Sequence, residues 1–240
     1  MITLYTGTPG SGKSLHAISL ILNVLSWNRR VIANFPIKFT KKELKKGFDQ
    51  RFSYLPNSEI TVDNLIDYAL SNGLLETAQE SQCLVVIDEA GGRFNCRDFR
   101  NSDRAAWIDF FSQHRKLGFD FLLVAQNDRM IDRQIRGYIE TEKKHRKVNN
   151  FSFFQLIPFI KIFVSVEHWY TAKQRVGANW FFYRKKIADH YDTMKMFDGF
   201  MLSTELMRKI AIARGELTEI QPQSGFNTPI DVIYDEAEAP

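Results

Sequence analysis

The sequence predicts an α/β fold, a parallel sheet flanked by helices, and three observations carry that prediction. Short apolar runs alternate with stretches of helical periodicity, the pattern of strands buried on both faces beneath crossover helices. The first run, Ile2–Thr6, ends in a glycine-rich turn that leads directly into a helix. A later run, Cys83–Ile87, ends in the adjacent acids Asp88 and Glu89, where a parallel sheet presents polar groups to a ligand.

Taken in order, residues 2–6 read as a β-prone strand, and 14–25 as a helix with Leu15, Ile18, Ile21, Leu22 and Leu25 at helical spacing. Residues 30–35 form a second strand stopped by Pro36. Thr40 and Glu43 then have the form of a capping box opening a short basic turn that ends at Gly47. Lys41, Lys42, Lys45 and Lys46 read as a solvated face. Thr61 or Asp63 is placed to cap a helix that runs to Leu70, ahead of the buried strand at 83–87. Ser102 caps the next helix, in which Trp107, Phe110, Phe111 and His114 share a face, Arg115 and Lys116 occupy the last turn and Gly118 lies just beyond. Residues 119–125 are another buried strand, and 128–136 a short polar helix closed by Gly137. Two aromatic, β-rich runs, 159–170 and 179–184, flank a polar stretch with Gly177 and predict a hairpin beside the preceding unit. Residues 203–214 read as helical, and 221–240, rich in Pro, Gly and acids, as a loose tail.

Composition bounds the rest. The chain has 240 residues, 44% hydrophobic and 25% charged, enough for one sizeable core with an appendage. Thirty-two Lys and Arg against 28 Asp and Glu leave a formal charge of +4, too mild to indicate nucleic acid from the total alone. The two cysteines, Cys83 and Cys96, have no zinc or disulfide spacing and suit a reducing compartment. No apolar segment is long enough to span a bilayer. The nearest approach, 151–166, carries Gln155, Pro158 and Lys161; the proline argues for an apolar strand pair over a membrane-surface helix.

The chemistry begins at Gly7, Thr8, Pro9, Gly10, Ser11, Gly12, Lys13 and Ser14, a G-x-x-x-x-G-K-S pattern between strand and helix. A triphosphate is dense negative charge. Glycines let backbone N–H groups approach it, Lys13 adds an ammonium near the β and γ phosphates, Ser14 offers a hydroxyl to Mg²⁺, and the following helix points its free amides at the same anion. The plain alternative is a glycine turn beside a solvent lysine. Asp88 then reads as the Mg²⁺ partner and Glu89 as the group that polarises the attacking water, which favours hydrolysis of ATP over transfer to a small-molecule acceptor. Two acids that merely end a strand are the alternative. Gln126, following the strand 119–125, is a candidate sensor of the γ phosphate, set against an ordinary loop glutamine. Arg115 is a candidate transition-state arginine for a neighbouring subunit, in competition with Arg133 and Arg136. Arg93, Arg97, Arg100 and Arg104 read either as a phosphate-backbone patch for single-stranded DNA or as a solvated or intersubunit surface, and the cluster 143–147 as a contact for nucleic acid or anionic lipid heads or as solvated surface.

The order GTPGSGKS, VVIDEA, 113–118 running into 120–126, then 131–136, resembles the Zot (zonular occludens toxin-like) family of filamentous-phage assembly ATPases. The resemblance covers residues 1 to about 200, including Tyr191, Asp192 and Thr193; only the glycine loop and the Asp88–Glu89 pair are specific by themselves. It implies a P-loop nucleoside triphosphatase of the additional-strand type, bound to ATP and Mg²⁺. Such a protein works as a homo-oligomeric ring on the cytoplasmic face of the host inner membrane, with phage single-stranded DNA or coat proteins and an envelope channel protein as partners. Members usually continue into a transmembrane helix; this sequence reaches Pro240 without one, as a trimmed domain or a soluble member would. The toxin activity in the family's name belongs to that further part and is not transferred.

The expected organisation is a P-loop core at 1–150, a small β-rich extension at 151–200 packed on it, and a short helix with a tail at 201–240. The expected function is an ATP-hydrolysing motor for phage assembly and DNA extrusion. The alternatives are a nucleotide-gated assembly scaffold with little turnover and a small-molecule kinase.

Overall fold

The structure, a computed structural model, describes residues 1–76, 79–95, 104–148 and 161–191, all within one compact unit, Met1–Gly199. Its centre is an eight-stranded sheet in the order β3-β2-β4-β5-β1-β6-β7-β8. The strands β1 (Ile2–Thr6), β2 (Arg30–Ala33), β3 (Phe52–Tyr54), β4 (Cys83–Ile87), β5 (Phe119–Val124) and β6 (Thr141–Lys147) run parallel. The hairpin β7 (Ile162–Trp169) and β8 (Arg175–Phe182) then adds two antiparallel strands. Because β5 separates β1 from β4, the glycine loop and the acids stand one strand apart, as an additional-strand topology requires.

Every residue of β1, β4 and β5 is buried, so their continuous apolar runs have the cause the sequence suggested. On one face lies α1 (Lys13–Ser26), whose Ala17, Ile18, Ile21 and Leu25 pack on Val31, Leu84, Val86 and Val124. The short helices α2 (Lys41–Leu44) and α3 (Phe48–Arg51) follow β2, and the Glu43 carboxylate accepts the Thr40 N–H at 2.8 Å as the capping pattern predicts. The opposite face carries α4 (Val62–Ser71), capped by Thr61 accepting the Asn64 N–H, then α5 (Ala90–Arg93), α6 (Arg104–Gln113) and α7 (Arg133–Arg136). Trp107, Phe110 and Phe111 of α6 interlock with Phe94 and Phe121 in edge-to-face contacts, each burial worth about 1.5–3 kcal/mol. The last helix is α8 (Lys185–Ala188).

Several expectations change. Residues 128–136 are two short pieces, a 3₁₀ turn at Asp128–Met130 and α7, because Ile131 is fully buried and bridges to Asn95. The cluster 143–147 is most of β6, so its side chains divide between two faces: His145 is buried and Lys143 pairs with Glu167 at 3.4 Å, whereas Lys144 and Arg146 are exposed. Arg93 stacks over Trp107 and donates to the Ile60 carbonyl, and Arg104 pairs with Asp132 at 2.9 Å, so both serve the fold. Arg97, Arg100, the Ser102 cap, residues 151–160 and everything from 192 onward lie outside the described residues. The predicted hairpin is present and continues the same sheet through β6.

Candidate functional site

The glycine loop follows β1 at the carboxyl edge of the sheet. Gly7, Gly10 and Gly12 have φ of 146°, 73° and 91°, conformations that side chains resist. Two of them are also pressed against the rest of the protein. A Cβ on Gly7 would stand 2.5 Å from the His145 carbonyl oxygen, and one on Gly12 would stand 2.8 Å from the Phe163 ring. The loop is closed on itself by the Ser11 N–H donating to the Thr8 carbonyl, and tied to the neighbouring strand by the Gly7 N–H donating to the Gln126 carbonyl.

Lys13, 9% exposed, opens α1 and donates its ammonium to the carbonyls of Gly7 and Thr8 at 2.7 and 3.2 Å. Burial lowers its pKa, opposed by Asp88 and Glu89. Ser14 Oγ, one residue on, donates to Asp88 Oδ2 at 3.2 Å. Thus the two groups assigned to Mg²⁺ from separate parts of the sequence meet. Asp88 is buried, which raises its pKa against the pull of the Glu89 N–H, Ser14 and Lys13. The residues fit a phosphate and a hard cation: the Gly10 backbone is open to approach, the buried Ser11 Oγ has no hydrogen-bond partner, and the side-chain ligand atoms of Ser14 and Asp88 are oxygens.

Glu89 is exposed beside this pair and sits in left-handed backbone at φ 50°, with its N–H held by Asp88 Oδ1 at 2.9 Å. Desolvation and the Asp88 charge raise its pKa, and Lys13 opposes them, so it is a stronger proton acceptor than a free glutamate. A non-glycine residue in that conformation costs on the order of 1–2 kcal/mol, and a second clamp holds it. Asn34, buried just past β2, accepts the Asp88 N–H at 2.8 Å and donates to the Asp88 carbonyl at 2.8 Å, while Asn57 accepts its other N–H. Asn34 was not singled out from sequence; the signal is a lone amide between apolar Ala33 and Phe35.

Gln126 follows the strand between β1 and β4, so it stands between Gly7 and Asp88 with its side chain exposed. Arg115 does not join the site. It follows α6 at the amino edge of the sheet and pairs with Glu140, the residue before β6, at 2.6 Å.

Beside the loop lies a histidine pair, His145 buried and His16 half-buried. His16 Nδ1 and His145 Nε2 are 2.8 Å apart, with Tyr5 and Phe181 against their rings. His145 Nδ1 is 2.9 Å from the Lys143 carbonyl, which only accepts; its Nε2 is therefore the acceptor and His16 Nδ1–H the donor. Burial pushes His16 down to about 4, helped by Lys143, and His145 down to about 3, helped by His16.

The family model described as "Zonular occludens toxin (Zot)" matches residues 1–195. The chain belongs to the Zot family. Among its relatives, the Gene 1 protein of Enterobacteria phage I2-2 is 30% identical over 142 residues, 56% of this chain and 37% of that protein. This Zot-family chain therefore matches less than half the length of that relative. The N-terminal domain of zonular occludens toxin from Neisseria meningitidis is 20% identical, covering 80% of this chain and 98% of that one, with a TM-score of 0.48. A DnaB-like replicative helicase shares the fold at 12% identity and a TM-score of 0.51, covering 77% of this chain and 56% of that one. Among the described residues no helix is long and apolar enough to cross a membrane.

Proposed function

We propose that this Zot-family chain binds Mg-ATP at Gly7–Ser14 and hydrolyses it, and that hydrolysis drives phage assembly and DNA extrusion at the host inner membrane within a homo-oligomeric ring. The observation that carries the proposal is the meeting of Ser14 and Asp88 at 3.2 Å with Glu89 at the next position. In this reading the loop amides of Gly10, Gly12, Lys13 and Ser14 and the Lys13 ammonium take the phosphate charge, for which Lys13 exchanges its loop carbonyls. Ser14 and Asp88 hold Mg²⁺, which when bound neutralises charge on the phosphate oxygens. Glu89 accepts the proton of the attacking water, and Gln126 orients that water or the γ phosphate from the strand between. Arg115, at the far edge of its own sheet, acts only in the site of a neighbouring subunit. Coat proteins, an envelope channel and the inner membrane are the partners this reading assigns.

The test is phosphate release from Mg-ATP over a range of protein concentrations, for the wild type beside Lys13→Ala and Glu89→Gln. Specific activity rises with concentration, Lys13→Ala loses nucleotide binding, and Glu89→Gln keeps binding while turnover falls about two to four decades. Wild-type binding without release at any concentration would replace the motor by a nucleotide-gated scaffold.

A further inference from the structure

Strands β6, β7 and β8 have two faces, and only one is explained by the nucleotide site. The cross-strand rows Lys147–Phe163–Phe181 and His145–Ser165–Asn179 turn toward α1 and the glycine loop. The alternate rows, Arg146–Val164–Trp180 and Lys144–Val166–Ala178, turn the other way. On that face Trp180 is 60% and Phe182 54% exposed, and Lys144 and Arg146 are exposed beside them.

The face is continuous with a groove of about 890 Å³ between residues 128–137 and 168–173. Its walls carry five cations, Arg129, Arg133, Arg136, Lys144 and Lys173, against two acids, Asp128 and Glu142. Both acids are already engaged. Asp128 accepts from the Tyr170 hydroxyl and lies 3.9 Å from Arg136; Glu142 accepts from the Thr6 hydroxyl at 2.6 Å and lies 3.5 Å from Lys144. Arg129, Arg133 and Lys173 are exposed and have no carboxylate within ion-pair distance among the described residues. Trp169, 50% exposed, stands at the mouth.

Uncompensated cations interleaved with exposed aromatic planes suit a chain of phosphates bearing unpaired bases: the cations track the backbone and the rings stack on base faces. A duplex hides those base faces. We propose that this face of β6–β8 and its groove bind single-stranded nucleic acid. The proposal deepens the motor reading by naming the load that touches the chain. It also supplies a connection, because Lys144 leans on Glu142, Glu142 holds Thr6, and Thr6 is the residue before Gly7.

Fluorescence anisotropy of a labelled oligothymidylate of about 20 nucleotides, with the full chain and no nucleotide, tests the face apart from hydrolysis. Between about 50 and 200 mM salt, affinity falls steeply, and Arg129→Gln with Arg133→Gln reduces the log–log salt slope by about 1.4. Trp180→Ala weakens binding about 5- to 150-fold without altering that slope, and Trp180→Phe restores most of it. The inference is overturned if these variants bind as the wild type does, if a duplex of the same length binds as tightly, or if no oligonucleotide binds and the face is left to a protein partner. Phosphate release from Mg-ATP in the same samples keeps the two readings apart: release without binding sinks the groove alone, and binding without release sinks the motor alone.

Discussion

The parallel half of the sheet and its antiparallel extension solve different problems. In β1, β4 and β5 every side chain is buried, and the chemistry is confined to residues just past the strand ends, Lys13, Ser14, Asp88, Glu89 and Gln126. In β6, β7 and β8 burial is only partial, and no residue there is assigned to the phosphates. Yet the extension supplies the wall against which the loop is bent: the His145 carbonyl behind Gly7 and the Phe163 ring behind Gly12. The lesson is that the glycines are dictated from two sides, by the phosphate they must approach and by the hairpin they already touch.

Phe163→Ala breaks that comparison most directly. Phe163 is 5% exposed and stacks on Phe181 at 5.3 Å between ring centroids. Its truncation costs about 3 kcal/mol as transfer and cavity terms combine, read as a shift of the urea midpoint. If the extension shapes the cradle, nucleotide affinity also falls when corrected for the folded fraction, because the ring backs Gly12 although it offers the phosphates no donor of its own. Unchanged affinity would make the hairpin a mere edge to the sheet.

The parallel half was legible in the sequence and the extension only in part, for a physical reason. A strand buried on both faces writes its environment into every residue, so 2–6, 83–87 and 119–125 stand out as apolar runs. Strand β6 has Lys143, Lys144, Arg146 and Lys147, whose aliphatic stems and ion pairs suit a half-covered sheet but whose charges resemble a surface run. The short edge strand β3 has only three residues, too few to show alternation. At the site, the fixed spacing of the glycine loop and the acids after β4 identified the residues that the structure brings together, whereas Asn34 acts through the Asp88 backbone, which no side-chain pattern encodes. Arg115 was plausible as a helix-end cation, and its distance from the site depended on which edge of the sheet that end reaches.

The histidine pair sharpens the comparison through pH, because it joins α1 of the parallel half to β6. Both rings are neutral in the folded protein, their pKa values pressed to about 4 and about 3, below the free value of 6.5. The unfolded chain therefore binds more protons between those limits, so stability is full above about pH 6.5 and declines as pH falls toward 3. Between about pH 7.5 and 5.5 the loss is on the order of 2 kcal/mol, measured by urea unfolding, and His16→Gln with His145→Gln flattens the slope across that interval. An unchanged slope in the double variant would assign the acid sensitivity to other groups.

The smallest expected effect belongs to Arg115→Ala, and it separates the two edges of the sheet. The Arg115–Glu140 pair is half exposed on the arginine side, at 49%, so its loss changes stability by less than about 1 kcal/mol. Because the side chain lies at the amino edge, nucleotide binding by a single chain is unaffected. Turnover at low protein concentration, where each chain works alone, is likewise unchanged. A loss that appears only as concentration rises identifies Arg115 as an arginine offered to the next subunit, and it requires the amino edge of one sheet to face the carboxyl edge of another. Equal turnover at all concentrations leaves Arg115 as a partner of Glu140 alone.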